Sequence, residues 1–288
     1  MYDVVIIGGG PAGLTCAINT SRANLKTLVI ESLAYGGQIV RAADVENYPG
    51  IKSILGVELG SMLYEQANSF GCDFLIGEVT NIEKGKVILK DREIKCNDIV
   101  VATGCNYRKL GIENENRLRG KGISYCATCD GGFFKDRDVA VIGGGDSAVE
   151  DAIYLSNICN KVYLIHRKNK FRAQKLYVDK LDNINNIECI MEDTISSING
   201  DDLLDSITLK SGRELKINGL FIAIGQTPNS SILEGVVELN KYGYAISPDY
   251  KTNIDNIYVI GDIREKNLRQ LTTAVADGAI VADIITKK

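Results

Sequence analysis

Short unbroken apolar runs recur along this chain, and most of them lead into glycine. Val4-Val5-Ile6-Ile7 opens onto Gly8-Gly9-Gly10-Pro11-Ala12-Gly13, and Val139-Ala140-Val141-Ile142 opens onto Gly143-Gly144-Gly145-Asp146-Ser147-Ala148. Four apolar residues bounded by a turn fit a strand buried on both faces. The period then changes. Leu14, Ala17 and Ile18 follow the first turn, and Val149, Ala152, Ile153 and Leu155 follow the second, which is the spacing of one helix face. Each predicted helix is followed by another apolar run, Thr27-Leu28-Val29-Ile30 and Val162-Tyr163-Leu164-Ile165. The same unit of strand, glycine turn, helix and strand is therefore written twice, once from Gly8 and again from Gly143.

That repeat predicts two dinucleotide-binding units. In such a turn the first glycine (Gly8, Gly143) makes the bend. The second (Gly10, Gly145) lets backbone approach a pyrophosphate. The third (Gly13, with Ala148 in its place in the second copy) lets helix and strand pack closely, while the helix N-terminus presents free N–H groups to the phosphates. The end of each second strand is where a ribose is chosen. Glu31 stands there in the first copy and suits the paired hydroxyls of an unphosphorylated ribose, as in FAD or NAD. His166-Arg167-Lys168, with Arg172 close behind, stands there in the second copy. This cationic cluster favours a 2′-phosphate, hence NADP.

Further runs predict how the units are joined. Residues 99–104 (Ile-Val-Val-Ala-Thr-Gly) close the first unit and residues 220–225 close the second. Residues 257–262, ending in Gly261-Asp262, read as a strand returning to the first unit, with a carboxylate suited to a polyol hydroxyl. The fold class expected is α/β: two Rossmann-like, three-layer ββα/βα nucleotide-binding domains, the second inserted in the first. The boundaries expected are 1–109 plus 230–288 for the first and 110–229 for the second, with crossings near 105–112 and 225–230. The stretches around 83–95 and 183–188 read as compact connections.

Composition narrows the chemistry. The chain has 288 residues, 45% hydrophobic and 24% charged, which is enough for two cores. A net charge of −4 argues against nucleic acid as a partner. No run of about 18 apolar residues is present to span a membrane, and the N-terminus lacks a signal-peptide pattern, so a cytoplasmic location is expected. One histidine leaves little for a Ser-His-Asp triad or a multi-histidine metal site. Of eight cysteines, six are scattered singly and read as unpaired, mostly buried side chains in a reducing compartment.

Cys126 and Cys129 form the one local pair, in Cys126-Ala127-Thr128-Cys129-Asp130. Zinc needs four ligands, and no second CxxC exists to complete a site. A redox dithiol that closes and opens a small ring fits, with a coincidental pair as the alternative. Asp130 is the nearest ionisable group. Buried, it would protonate a leaving thiolate; otherwise it serves as a helix N-cap or turn carboxylate.

Taken in order, Gly8-x-Gly10-x-x-Gly13, the Cys126–Asp130 motif, Gly143–Ala148, His166-Arg167-Lys168 with Arg172, and Gly261-Asp262 resemble low-molecular-weight, bacterial-type thioredoxin reductases along the whole chain. Gly36-Gly37-Gln38, Glu46-Asn47-Tyr48-Pro49-Gly50, Ala102-Thr103-Gly104 and Arg269-Gln270 also look like that family. The resemblance implies a homodimeric FAD enzyme that reduces thioredoxin with NADPH. It implies that Cys129 faces the flavin, that Cys126 is the interchange thiol and that Asp130 is the general acid. It implies FAD contacts from Gly8, Gly10, Gly13, Glu31, Gln38, Asn47, Thr103, Gly104, Asp262, Arg269 and Gln270. NADPH contacts would come from Gly143, Gly145, Ala148, His166, Arg167, Lys168 and Arg172. It also implies a rotation of the inserted domain that presents the disulfide and the nicotinamide to the flavin in turn. Two departures stand out. The family pattern has two arginines where this chain has Arg167-Lys168, and lysine loses the planar two-pronged contact. The chain is also short, and some short relatives take electrons from ferredoxin. Ferredoxin as donor is therefore one alternative, and a non-catalytic flavin redox sensor is another. A peroxide-system reductase subunit is disfavoured because the sequence starts at its first strand. The cysteine pair argues against a ferredoxin–NADP reductase.

Overall fold

A computed structural model describes residues 1–42 and 44–288. They form two compact units: residues 1–106 with 227–288, and residues 107–226. The chain leaves the first unit through Cys105–Tyr107 and returns through Gln226–Pro228, and these two short strands pair with each other. The inserted unit thus begins and ends three residues earlier than the boundaries expected from sequence.

The first unit is built on parallel strands in the order Asp73–Ile76, Thr27–Glu31, Tyr2–Ile7 and Glu93–Val101, with Ile257–Val259 pairing residues 99–101. Both faces of this sheet are covered, which is why its strands read as unbroken apolar runs. Val4 and Ile6 pack against the helices Pro11–Arg22 and Leu271–Thr286 through Leu14, Ala17, Val281 and Ile285. Val5 and Ile7, pointing the other way, pack with Ile82, Val87 and Leu89. Those last residues belong to an antiparallel ribbon, Val79–Glu83 and Lys86–Leu89, that joins the start of Glu93–Val101. The 83–95 stretch, expected to be a compact connection, is mostly strand, turned at Gly85 (φ +84°).

The inserted unit repeats the plan. Its parallel order is Ile123–Ser124, Gly219–Ala223, Asp138–Gly143, Lys161–His166 and Ile187–Met191. Val139, Val141 and Leu164 face the helix Asp146–Ser156, meeting Val149, Ala152 and Leu155. Ala140, Ile142 and Ile165 face an antiparallel ribbon, Ile195–Asn199, Ser206–Leu209 and Glu214–Lys216. Of the six scattered cysteines, five are buried and Cys189 is exposed; it sits on Ile187–Met191, the edge strand of its sheet, where one side lacks a neighbour. Among the described residues, no helix is long and apolar enough to cross a membrane.

Candidate active site

The first glycine turn is shaped by contacts that a side chain would break. Gly8 has φ +108°, and a Cβ on Gly13 would lie 2.0 Å from the Gly8 carbonyl oxygen. This close approach seats the helix Pro11–Arg22, whose N-cap is Gly10 with Pro11 at the first position and no side-chain cap. No side chain caps its leading N–H groups, those of Ala12 and Gly13, which suits them as anion donors. Glu31 accepts from the Gly9 N–H at 2.9 Å, and its other oxygen accepts from Ser32 N–H, Ser32 Oγ–H and Leu33 N–H. Three of those bonds crowd one oxygen and a single bond falls on Oε2, which leaves Oε2 an acceptor site for a ribose hydroxyl.

The remaining first-unit positions gather at the C-terminal strand ends. Thr103 Oγ1 donates to the Asn229 carbonyl, and Asn229 Nδ2 returns a bond to the Thr103 carbonyl. Gly104 follows with φ +66°. Gln38 Nε2 donates to the Cys105 carbonyl, and Asn47 Nδ2 donates to Gln270 Oε1. Gln270 caps the helix Leu271–Thr286 in a capping box with Thr273. Arg269 donates to the Asp262 and Arg264 carbonyls while lying over the Tyr244 ring. Asp262 Oδ1 is buried without a hydrogen-bond partner; Lys266 Nζ stands 3.6 Å away. Burial pushes the Asp262 carboxyl above the usual range, with Lys266 and Arg269 opposing. A buried acceptor without a donor is what a ligand hydroxyl would satisfy, so the donor set fits a polyol.

In the inserted unit, Gly145 is the N-cap of Asp146–Ser156 and has open space where a Cβ would stand. Gly143 is packed against the Ala223 carbonyl and the Ala148 methyl. Asp146, in the first helical turn, is occupied by Gln174 through its N–H and Nε2. His166 is placed differently from Arg167, Lys168 and Arg172. Its ring is buried beneath Gly144, stacked on Phe171, with Nε2 donating to the Lys170 carbonyl. Burial, with those three cations nearby, holds its pKa below the ordinary value. His166 is therefore a neutral floor for the loop, and the three exposed cations are the groups free to meet a phosphate.

Cys126 and Cys129 are joined in a disulfide with Cα atoms 5.3 Å apart. Cys126 caps the single turn Ala127–Asp130, and Asp130, which ends that turn, is the N-cap residue of the next one, Gly131–Phe134, without a side-chain cap hydrogen bond. Asp130 is half-buried, and the desolvation raises its pKa; the Ser124 hydroxyl, donating to Oδ2 at 2.6 Å, and Arg119 pull it down. Behind the pair, Tyr125 O–H donates to Glu115, a fully buried carboxylate that also accepts from the Leu110 and Gly111 N–H groups. No cluster of three or more metal-ligating residues occurs among the described residues.

Residues 2–278 match the model of the pyridine nucleotide-disulphide oxidoreductase family. The thioredoxin reductase of Bacillus subtilis is 41% identical over 297 residues, covering 99% of this chain and 94% of the relative. The crystal structure of thioredoxin reductase from Streptococcus pyogenes superposes with a TM-score of 0.95 at 38% identity, covering all of this chain and 97% of that one. The thioredoxin reductase from Giardia duodenalis gives 0.93 at 34% identity, with coverage of 100% and 99%. The chain belongs to the pyridine nucleotide-disulphide oxidoreductases, on their thioredoxin reductase branch. As a member of that family it is an oxidoreductase working with a flavin and a pyridine nucleotide.

Family membership gives the two glycine turns and the disulfide a common purpose but leaves several supporting groups unassigned. Ser124, Glu115, Lys266 and the buried Asp277 carry no motif that sequence reading singled out. Asp277 accepts from the Gly261 N–H and pairs with Lys266 at 3.1 Å and Arg264 at 3.6 Å, holding the turn that presents Asp262. The one available signal is an aspartate at a position otherwise facing the core of an apolar helix, Val275-Ala276-Asp277-Gly278.

Proposed function

We propose that this chain is a thioredoxin reductase that passes electrons from NADPH through FAD to the Cys126–Cys129 disulfide and from there to thioredoxin. The observation that carries the reading is the disulfide itself, closed beside a half-buried carboxyl, in a chain with two dinucleotide turns and relatives that bear this name.

The ligands divide between the units. Gly8, Gly10 and Gly13 with the helix N-terminus take the FAD pyrophosphate, Glu31 its adenosine ribose and Asp262 its ribityl hydroxyls. Gln38, Asn47, Thr103, Gly104, Arg269 and Gln270 complete the first-unit set. Gly143, Gly145 and Ala148 with their helix take the NADPH pyrophosphate, Arg167, Lys168 and Arg172 its 2′-phosphate, and His166 supports them from below. Bound flavin supplies the conversion of a two-electron hydride into attack on sulfur. The chain's own thiols do the rest. As the reduced pair, the Cys126 thiolate attacks the thioredoxin disulfide, a mixed disulfide forms, and the departing thioredoxin thiolate takes the Asp130 proton. The Cys129 thiolate then attacks the mixed disulfide, which restores Cys126–Cys129 and releases reduced thioredoxin. Both the disulfide and the nicotinamide belong to the inserted unit, and each must meet a flavin held by the other. A rotation about the crossings at 105–112 and 225–230 lets them take turns.

The reading is tested by adding NADPH or NADH anaerobically to the flavin-loaded protein. NADPH bleaches the flavin rapidly, and Cys126→Ser keeps that bleaching while losing thioredoxin reduction by at least about a hundredfold, as expected for loss of a nucleophile. Bleaching only by reduced ferredoxin would make ferredoxin the donor. Bleaching without thioredoxin reduction by the unaltered protein would leave a redox sensor.

A further inference from the structure

We propose that Ser124 is a positioning residue for proton delivery at the redox pair, its single hydroxyl joining the acid Asp130 to the backbone of the interchange cysteine. This rests on the function proposed above and adds a residue to it.

The geometry is local. Ser124 is 5% exposed and ends the short strand Ile123–Ser124, paired to Leu220 and Phe221. Its Oγ accepts from the Cys126 N–H at 3.0 Å and donates to Asp130 Oδ2 at 2.6 Å. The Asp130 N–H closes the loop on the Cys126 carbonyl at 3.1 Å, and that same carbonyl lies 3.3 Å from Ser124 Oγ. A hydroxyl has one proton and two lone pairs. With Asp130 ionised, the proton goes to the carboxylate. With Asp130 protonated, the carboxyl O–H can donate to Oγ, and the hydroxyl proton turns to the Cys126 carbonyl. Both charge states of the acid are then satisfied by rotation about one bond, with no movement of the cysteine turn.

The charge balance agrees with this arrangement. Burial favours the neutral acid, while the Ser124 hydroxyl and the Arg119 guanidinium favour the anion. The helix Asp146–Ser156, packed against the cysteine turn, brings Asp146, Glu150 and Asp151, and the turn Gly131–Phe134 brings no charge. Ser124 is thus a neutral group that both fixes the carboxyl's place and stabilises its ionised form. A serine that only braced the turn would hold the backbone and leave the proton equilibrium untouched.

The test uses the flavin-loaded protein and its Ser124→Ala, Ser124→Thr and Asp130→Asn variants, with thioredoxin reduction followed against pH. Asp130 must hold its proton to act, so the rate falls as pH rises through its titration. Removing the hydroxyl destabilises the anion and moves this fall upward by about one pH unit, with roughly a tenfold lower plateau. Threonine restores the position of the fall, and Asp130→Asn removes it. Flavin bleaching by NADPH stays at the unaltered rate in Ser124→Ala and Ser124→Thr. The pH dependence of iodoacetamide alkylation of Cys126 in the dithiol-reduced protein gives a second readout that needs no turnover, and Ser124→Ala moves it in the same direction. Should Ser124→Ala yield too little folded protein, Ser124→Gly takes its place. An unmoved pH profile and alkylation curve, with only the melting temperature lowered, would reduce Ser124 to a turn brace and overturn the proposal. Failure of the unaltered protein to reduce thioredoxin would instead strike the proposed function, and the alkylation curve would still decide for or against Ser124.

Discussion

Single residues here act mainly through what burial does to their charge. Asp151, on the helix behind the cysteine turn, is pushed up to about 7 by burial, with Glu150 adding to the shift. Its folded-state pKa lies above the ordinary 3.8, so folding favours the protonated form. The cost of ionising it is absent below about 3.8, grows as pH rises and is complete above about 7. Asp151→Asn is therefore expected to stabilise the protein, with the gain rising by up to about 1.4 kcal/mol per pH unit across that window. Denaturant midpoints at several pH values check this; a gain that does not change with pH would refute it. Asp130 was legible in the sequence because it adjoins a cysteine. Ser124 was not, because a serine two positions before a cysteine gains meaning only once the turn folds Asp130 back onto it.

At the level of elements, the two glycine turns make different demands on their glycines. A methyl on Gly13 meets the Gly8 carbonyl at 2.0 Å, whereas a methyl on Gly145 meets nothing within 4 Å. Gly13→Ala should cost about 2 kcal/mol of stability and lower flavin retention, as read by the flavin-to-protein absorbance ratio after gel filtration. Gly145→Ala should leave the melting temperature unchanged and raise KM for NADPH about tenfold, because the space it fills is where a pyrophosphate would approach backbone. Equal loss of stability in both would show that neither turn is shaped for a ligand. The parallel strands were readable because burial on both faces turns them into unbroken apolar runs. The ribbons at 79–89 and 195–216 were not. Their strands are three to five residues long, and sequences such as Val79-Thr80-Asn81-Ile82-Glu83 carry too few apolar positions to separate strand from connection.

For the molecule as a whole, the proposed turnover depends on two crossings, and both lie within the stretches marked out from sequence. A cross-link that fastens one unit to the other should abolish thioredoxin reduction while the flavin stays bound, measured by activity and by the flavin spectrum of the same sample. Full activity in the cross-linked protein would exclude rotation. The discontinuity of the first unit carries a further consequence. Its central strand Glu93–Val101 lacks its neighbour Ile257–Val259, and the helix Pro11–Arg22 lacks its partner Leu271–Thr286, until the last stretch of chain arrives. On the ribosome, the inserted unit has every strand of its own sheet available first. The first unit must wait with Leu14, Ala17 and Val100 uncovered. Newly made chains thus pass through an interval of vulnerability to aggregation that the inserted half escapes, and an early stop codon after the insertion would make that interval permanent.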